Sequence, residues 1–146
     1  MTTSEQSTTT KKDEPTHRWT SLVDVFPQFD GPEPTVVRFS SGEKREAGTW
    51  TDLYGQIGSW LARHGKIKEP VQMPAAPGRF IVNTDPVHAI ERFSRSFELP
   101  NGLWLEVDGR PQLLLDRAIM LLEMFEIDPA SVDVYLEQRG QDGWIR

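Results

Sequence analysis

The chain reads as an α+β domain of two layers, a mostly antiparallel sheet of four or five strands with two long helices on one face. Three observations predict this. Two stretches carry apolar residues at helical spacing between start and stop signals, Thr49–Gly65 and the run that opens at Asp108-Gly109-Arg110-Pro111. Short segments rich in β-branched or alternating apolar residues surround them, at Thr35–Ser40, Arg79–Asn83, Leu103–Val107 and Val132–Leu136. Gly42 turns one of these segments back on itself, and a strand pair joined by a tight turn is antiparallel.

Taken in order, Met1–Thr16 has no large apolar residue after Met1. Such a stretch cannot bury enough surface to offset its ordering entropy, so residues 1–16 are expected to be a disordered tail. Trp19, Leu22, Val23 and Phe26 then recur at i, i+3, i+4 and i+7, which predicts a two-turn helix ended by Pro27. Asp30–Pro34 is a connector. Thr35–Ser40 and Lys44–Ala47 form a hairpin, the second strand a polar edge.

The first long helix is the most completely signalled element. Thr49 and Asp52 have capping-box spacing. Leu53, Ile57, Trp60 and Leu61 make its apolar stripe, Arg63 and His64 face the negative dipole end, and Gly65 stops it. Three prolines make residues 66–78 an extended loop. Arg79–Asn83 is a buried strand. Asp85-Pro86 has the form of a helix start, and Val87, Ile90, Phe93 and Phe97 predict the buried face of a helix over 86–96. After the turn at Pro100-Asn101-Gly102, the strand Leu103–Val107 places Leu103, Leu105 and Val107 on one face and Trp104 and Glu106 on the other. Leu114, Leu115, Ala118, Ile119, Leu121, Leu122 and Phe125 give the second helix a wide apolar face. Asp128-Pro129 breaks it, Val132, Val134 and Leu136 form the last strand, and 139–146 is expected to fray. Residues 17–138 are thus one domain.

Composition narrows the function. There is no cysteine, hence no disulfide framework and no thiolate metal site, which suits the cytoplasm. No apolar run reaches the length of a membrane span, and the N-terminus has no apolar core of a signal peptide. The net charge of −6 lies wholly in residues 98–146, since residues 1–97 hold equal numbers of acidic and basic side chains. That acidic third repels nucleic-acid backbones.

Chemistry-bearing motifs are sparse. His17, His64 and His88 show no metal-ligand spacing, no nucleophile elbow is present, and neither a metal nor a cofactor is expected. Gly55-Gln56-Ile57-Gly58 matches a nucleic-acid-clamping G-x-x-G but sits inside a capped helix, where close packing is the simpler meaning. Glu123, Glu126, Asp128 and Asp133 suit a solvated acidic edge or acid–base work. The strongest site reading is His88, Arg92 and Arg95 on the outer face of the predicted 86–96 helix, joined by Arg79 and by Lys66 and Lys68. These residues make either a basic face balanced by Glu91 and Glu98 or an anion- or partner-binding site. Trp104 packs inside or anchors an interface.

One order of motifs has a counterpart. Thr49-Trp50-Thr51-Asp52-Leu53 with Trp60-Leu61 is followed by Phe80-Ile81-Val82-Asn83 and by Asn101-Gly102-Leu103-Trp104-Leu105-Glu106-Val107. Leu121-Leu122 and Phe125-Glu126-Ile127-Asp128-Pro129 then lead into Val132. Over residues 35–137 this order resembles a small α+β accessory domain found at the ends of larger bacterial and archaeal proteins, many of them restriction or phage-defence components. The resemblance implies no catalytic residues. The expectation is therefore a non-enzymatic adaptor docking on a larger protein. The alternatives are a nucleic-acid-binding accessory domain that uses the basic face, with weak and salt-sensitive binding, and an acidic decoy of phage origin.

Overall fold

The computed structural model describes residues 17–28 and 31–138 of the chain. The expected tail over 1–16 and the expected frayed end over 139–146, with Trp144, lie outside the described residues. The elements run β1 (His17–Ser21), β2 (Glu33–Arg38), β3 (Lys44–Glu46), α1 (Trp50–Arg63), β4 (Val71–Gln72), β5 (Phe80–Asn83), β6 (Ser96–Glu98), β7 (Trp104–Glu106), α2 (Pro111–Met124) and β8 (Asp133–Glu137), with single 3-10 turns at Leu22–Asp24 and Pro129–Ser131. The α+β class is as expected, with two long helices and antiparallel strands. Those strands divide between two four-stranded sheets, ordered β1-β8-β2-β3 and β4-β5-β7-β6.

Helix α1 joins these parts. Thr49 Oγ1 accepts the Asp52 backbone N–H at 3.0 Å, so the Thr49 half of the capping box read from sequence forms. At the other end Gly65 adopts φ +73°, and Lys66 N–H returns to the Leu61 carbonyl at 2.8 Å. The face with Leu53, Ile57, Trp60 and Leu61 is buried. Gly55 and Gly58 are packing glycines. A Cβ at Gly55 would stand 2.6 Å from Cδ2 of Phe97, and one at Gly58 would stand 3.0 Å from a Leu105 methyl carbon. The helix therefore lies directly on β6 and β7. It also packs against α2, whose Leu114, Leu115, Ala118, Leu121 and Leu122 are buried.

The expected helix over Trp19–Phe26 does not form. This stretch is β1 and one 3-10 turn, with Leu22 and Val25 buried but Val23 and Phe26 42% and 74% exposed. Pairing along the whole of β8 overrides the local spacing. Trp19 meets Tyr135 edge-on at 5.2 Å, and the Arg38 guanidinium lies 4.0 Å above the Trp19 ring.

The turn between β2 and β3 is tied to the end of α1. Glu43 Oε2 accepts from Arg45 Nε at 2.8 Å and from Arg63 Nη2 at 2.6 Å. The Arg45 hydrogen bond lowers the Glu43 pKa, partial burial opposes it, and His64 and Arg63 lower it further. A lowered carboxylate pKa contributes stability that is present above the unfolded value and lost as pH falls through the folded one. An NMR titration is expected to place the Glu43 midpoint below the ordinary glutamate value, and Glu43→Gln should remove that share of the acid dependence of stability.

A pinned loop as the candidate functional site

The predicted 86–96 helix is absent, and its place is taken by a folded-back loop between β5 and β6. The reason is local and starts at Asn83. Its Oδ1 accepts Thr84 N–H at 2.8 Å while its Nδ2 donates to the Val87 carbonyl at 2.9 Å. Asp85 does not cap a helix with its side chain; its carbonyl accepts Val87 N–H at 2.7 Å. Phe93 N–H then returns to the Pro86 carbonyl at 2.9 Å, His88 N–H reaches the Glu91 carbonyl at 2.6 Å, and Val87 and Arg92 form an antiparallel bridge. Ala89 N–H bonds the Gly78 carbonyl at 2.8 Å, which fastens the tip of the loop to the residues before β5.

His88 anchors the loop from within. It is 5% exposed, with both ring nitrogens engaged. Phe80 N–H donates to Nδ1 at 2.9 Å, so the ring proton sits on Nε2, which donates to Glu106 Oε2 at 2.9 Å. Glu106 on β7 is itself buried, and Phe93 lies over the imidazole at 4.7 Å between ring centres. Two arginines flank the carboxylate. Arg79 Nη2 is 3.6 Å from Oε2, and Arg117 Nη1 on α2 is 3.7 Å from Oε1. A buried imidazole with both nitrogens bonded is a structural clamp and offers no free base to a substrate.

The expected basic face is accordingly corrected. His88 is not on an outer face with Arg92 and Arg95; it is drawn inward by Glu106 and by the Phe80 N–H. Arg79 is half-exposed and bound to Glu91 Oε2 at 3.1 Å. Arg92 and Arg95 are exposed and have no acidic partner among the described residues. No hydrogen bond or ion pair among those residues joins Lys66 or Lys68 to the loop. Ile90, expected in a buried stripe, is 96% exposed at the loop tip. A small cavity of about 240 Å³ lies beneath it, lined by Pro77, Arg79, His88 and Ala89.

Elsewhere the sequence reading divides. Leu103, Leu105 and Val107 are buried as expected, but Glu106 is buried too, and Trp104 is half-buried. Among the supposed acidic edge, Asp128 caps the turn before β8 by accepting Ala130 N–H at 2.9 Å, and Asp133 pairs with Arg38 at 2.9 Å, so only Glu123 and Glu126 are simply exposed. The described residues contain no group of His, Cys, Asp or Glu able to hold a metal ion, and no helix long and apolar enough to cross a membrane. A second concavity, of about 700 Å³, opens between the starts of the two helices and is walled by Pro27, Trp50, Pro111 and Leu113.

Glu106 was missed as a site residue. Its signal is a carboxylate flanked by Leu105 and Val107 in a short apolar strand, where a charge needs a partner. Comparison with protein-family models, with characterised proteins and with solved structures finds no match to this chain.

Proposed function

We propose that the protein is a non-enzymatic binding module that docks on a larger protein through the loop 84–95. One observation carries this reading, a loop held by bonds at nearly every turn that nevertheless presents Ile90 96% exposed. A single exposed apolar residue is ordinary. Fixing it on an immobilised loop is different, because a preorganised contact loses little entropy on binding. Arg92 and Arg95 are exposed further along the same segment and suit bidentate contact with carboxylates. The partner surface is therefore an apolar socket rimmed by acidic groups. The resemblance to defence-associated accessory domains suggests a partner within a restriction or phage-defence assembly. Duplex nucleic acid is a poorer fit, since two arginines neutralise few phosphates and the acidic third of the chain repels the rest.

The experiment places a photo-crosslinking side chain at position 90 in host cells and identifies the adduct by mass spectrometry. The captured protein is then titrated with wild type and with the triple variant Ile90→Asp, Arg92→Glu, Arg95→Glu. All three positions are exposed, so the fold is expected to survive, and affinity should fall at least about tenfold. Unchanged affinity in the folded variant rejects the loop as the docking surface.

A further inference from the structure

The His88 clamp closes in one protonation state only. Phe80 N–H points at Nδ1 from 2.9 Å, so that nitrogen offers a lone pair. Nε2 carries the ring's single proton and donates to Glu106 Oε2 at 2.9 Å. A second proton has only Nδ1 to enter, and there it would set one N–H against another. An imidazolium ring and the Phe80 bond are therefore mutually exclusive. The neighbours do not compensate a further charge on this buried ring. Glu106 on β7 attracts it, but Arg79 before β5 lies 3.6 Å from Oε2 of that carboxylate, and Arg117 on α2 lies 3.7 Å from Oε1. Glu91 in the loop is paired with Arg79 at 3.1 Å. Tyr54, buried on α1, adds no charge, because burial pushes its pKa well upward and keeps the phenol protonated. Two guanidiniums thus already balance two carboxylates, and one more buried charge is costly.

We propose that the loop 84–95 is an acid-released latch: a proton taken from solvent by His88 breaks the Phe80 bond and frees the loop while the rest of the domain stays folded. The direction follows from linkage. The released form binds one proton more than the pinned form, so acid favours release. A released imidazole, open to water, titrates at about pH 6.5. Pinning is complete above that value, and below it the ratio of pinned to released loop falls about tenfold per pH unit. The bonds lost with the ring are those that fasten the loop to the body of the domain, from Phe80 to Nδ1 and from Nε2 to Glu106, which leaves the Ala89 N–H bond to the Gly78 carbonyl as a single tie. The latch is a property of the loop itself. Only its consequence, weaker docking in acid, rests on the docking reading.

The test is hydrogen exchange on the full chain alone, between pH 7 and pH 5, with rates corrected for their intrinsic pH dependence. Exchange reports the released minority even while the pinned form dominates. Protection at Ala89 and Phe93 is expected to fall at least about tenfold over this range, relative to the interior amides of α1. His88→Asn keeps an acceptor near the Nδ1 position and does not titrate, so its corrected loop protection should stay level whatever its absolute value. In the wild type, the ring nitrogen signals in NMR give a second reading that needs no variant. Loop protection that does not change with pH overturns the proposal. So does the same pH dependence in His88→Asn, or an imidazolium that forms while Phe80 and Ala89 stay protected. No partner is present in this measurement, so a failed latch and a failed docking surface are told apart.

Discussion

Trp60→Ala is expected to lower the unfolding free energy by about 3–5 kcal/mol, the range for truncating a buried aromatic side chain. Trp60 is 6% exposed and lies on the buried stripe of α1. Its ring stacks on Phe39 at 4.8 Å with planes 3° apart, and it also meets the His64 ring at 4.5 Å. Phe39 follows β2, so this stack joins the helix to the first sheet. The loss divides between removed apolar area and a cavity that rigid neighbours cannot collapse into. Trp60→Phe separates the two roles of the side chain. The indole N–H is buried without a partner, so its removal carries no hydrogen-bond loss, and the smaller ring should cost under about 2 kcal/mol. Leu122→Ala on α2 should fall at about 2–5 kcal/mol. Urea unfolding curves with unchanged m-values would establish these figures. Costs below about 0.5 kcal/mol for both alanine variants would mean that the two helices do not form the core.

What could be read from sequence here is what local rules control. Thr49, Asp52 and Gly65 determine the bounds of α1 by bonds within a few residues, and they are found where the pattern put them. The apolar face of α2, the β2–β3 hairpin, and the strands around Phe80, Leu105 and Val134 follow from periodicities that burial then uses directly. The two failures share a cause. In Trp19–Phe26 and in 86–96, apolar residues fall at helical spacing, yet the deciding partners lie far along the chain. Trp19 is claimed by Tyr135, and His88 by Glu106. In the second case a nearby competitor also acts, since the Asn83 side chain bonds both Thr84 and Val87 and turns the backbone before a helical turn can close. The same non-local pairing explains why the site was half legible. Arg92 and Arg95 are exposed as their charge suggests. The helical stripe in the sequence puts Ile90 inside although no such helix forms, and it puts His88 outside because nothing near it in sequence reveals a buried carboxylate eighteen residues on.

Glu106→Ala is expected to cost about 1–3 kcal/mol, the range for leaving a buried hydrogen-bond donor without its acceptor. Three consequences combine. The His88 Nε2–H loses its only acceptor among the described residues while remaining 5% exposed. Arg117, whose side chain is 19% exposed, loses its carboxylate neighbour at 3.7 Å. Arg79 adds little, because its guanidinium is 43% exposed, solvent screens it, and it keeps Glu91 at 3.1 Å. Glu106→Gln should cost less than half as much, since an amide oxygen can still accept from His88. A double-mutant cycle isolates the clamp. His88→Ala alone strands the buried carboxylate, whereas His88→Ala with Glu106→Ala removes both members, so the double loss should fall short of the sum by about 1–3 kcal/mol. The structural consequence should be local. Hydrogen exchange at the amides of His88, Ala89 and Phe93 should accelerate in either single variant relative to the interior amides of α1, because the loop is fastened through His88 while the helix keeps its own core contacts. Strict additivity in the cycle, or loop amides no faster than those of α1, would show that the pair does not hold the loop, and the rigidity on which the docking surface depends would need another source.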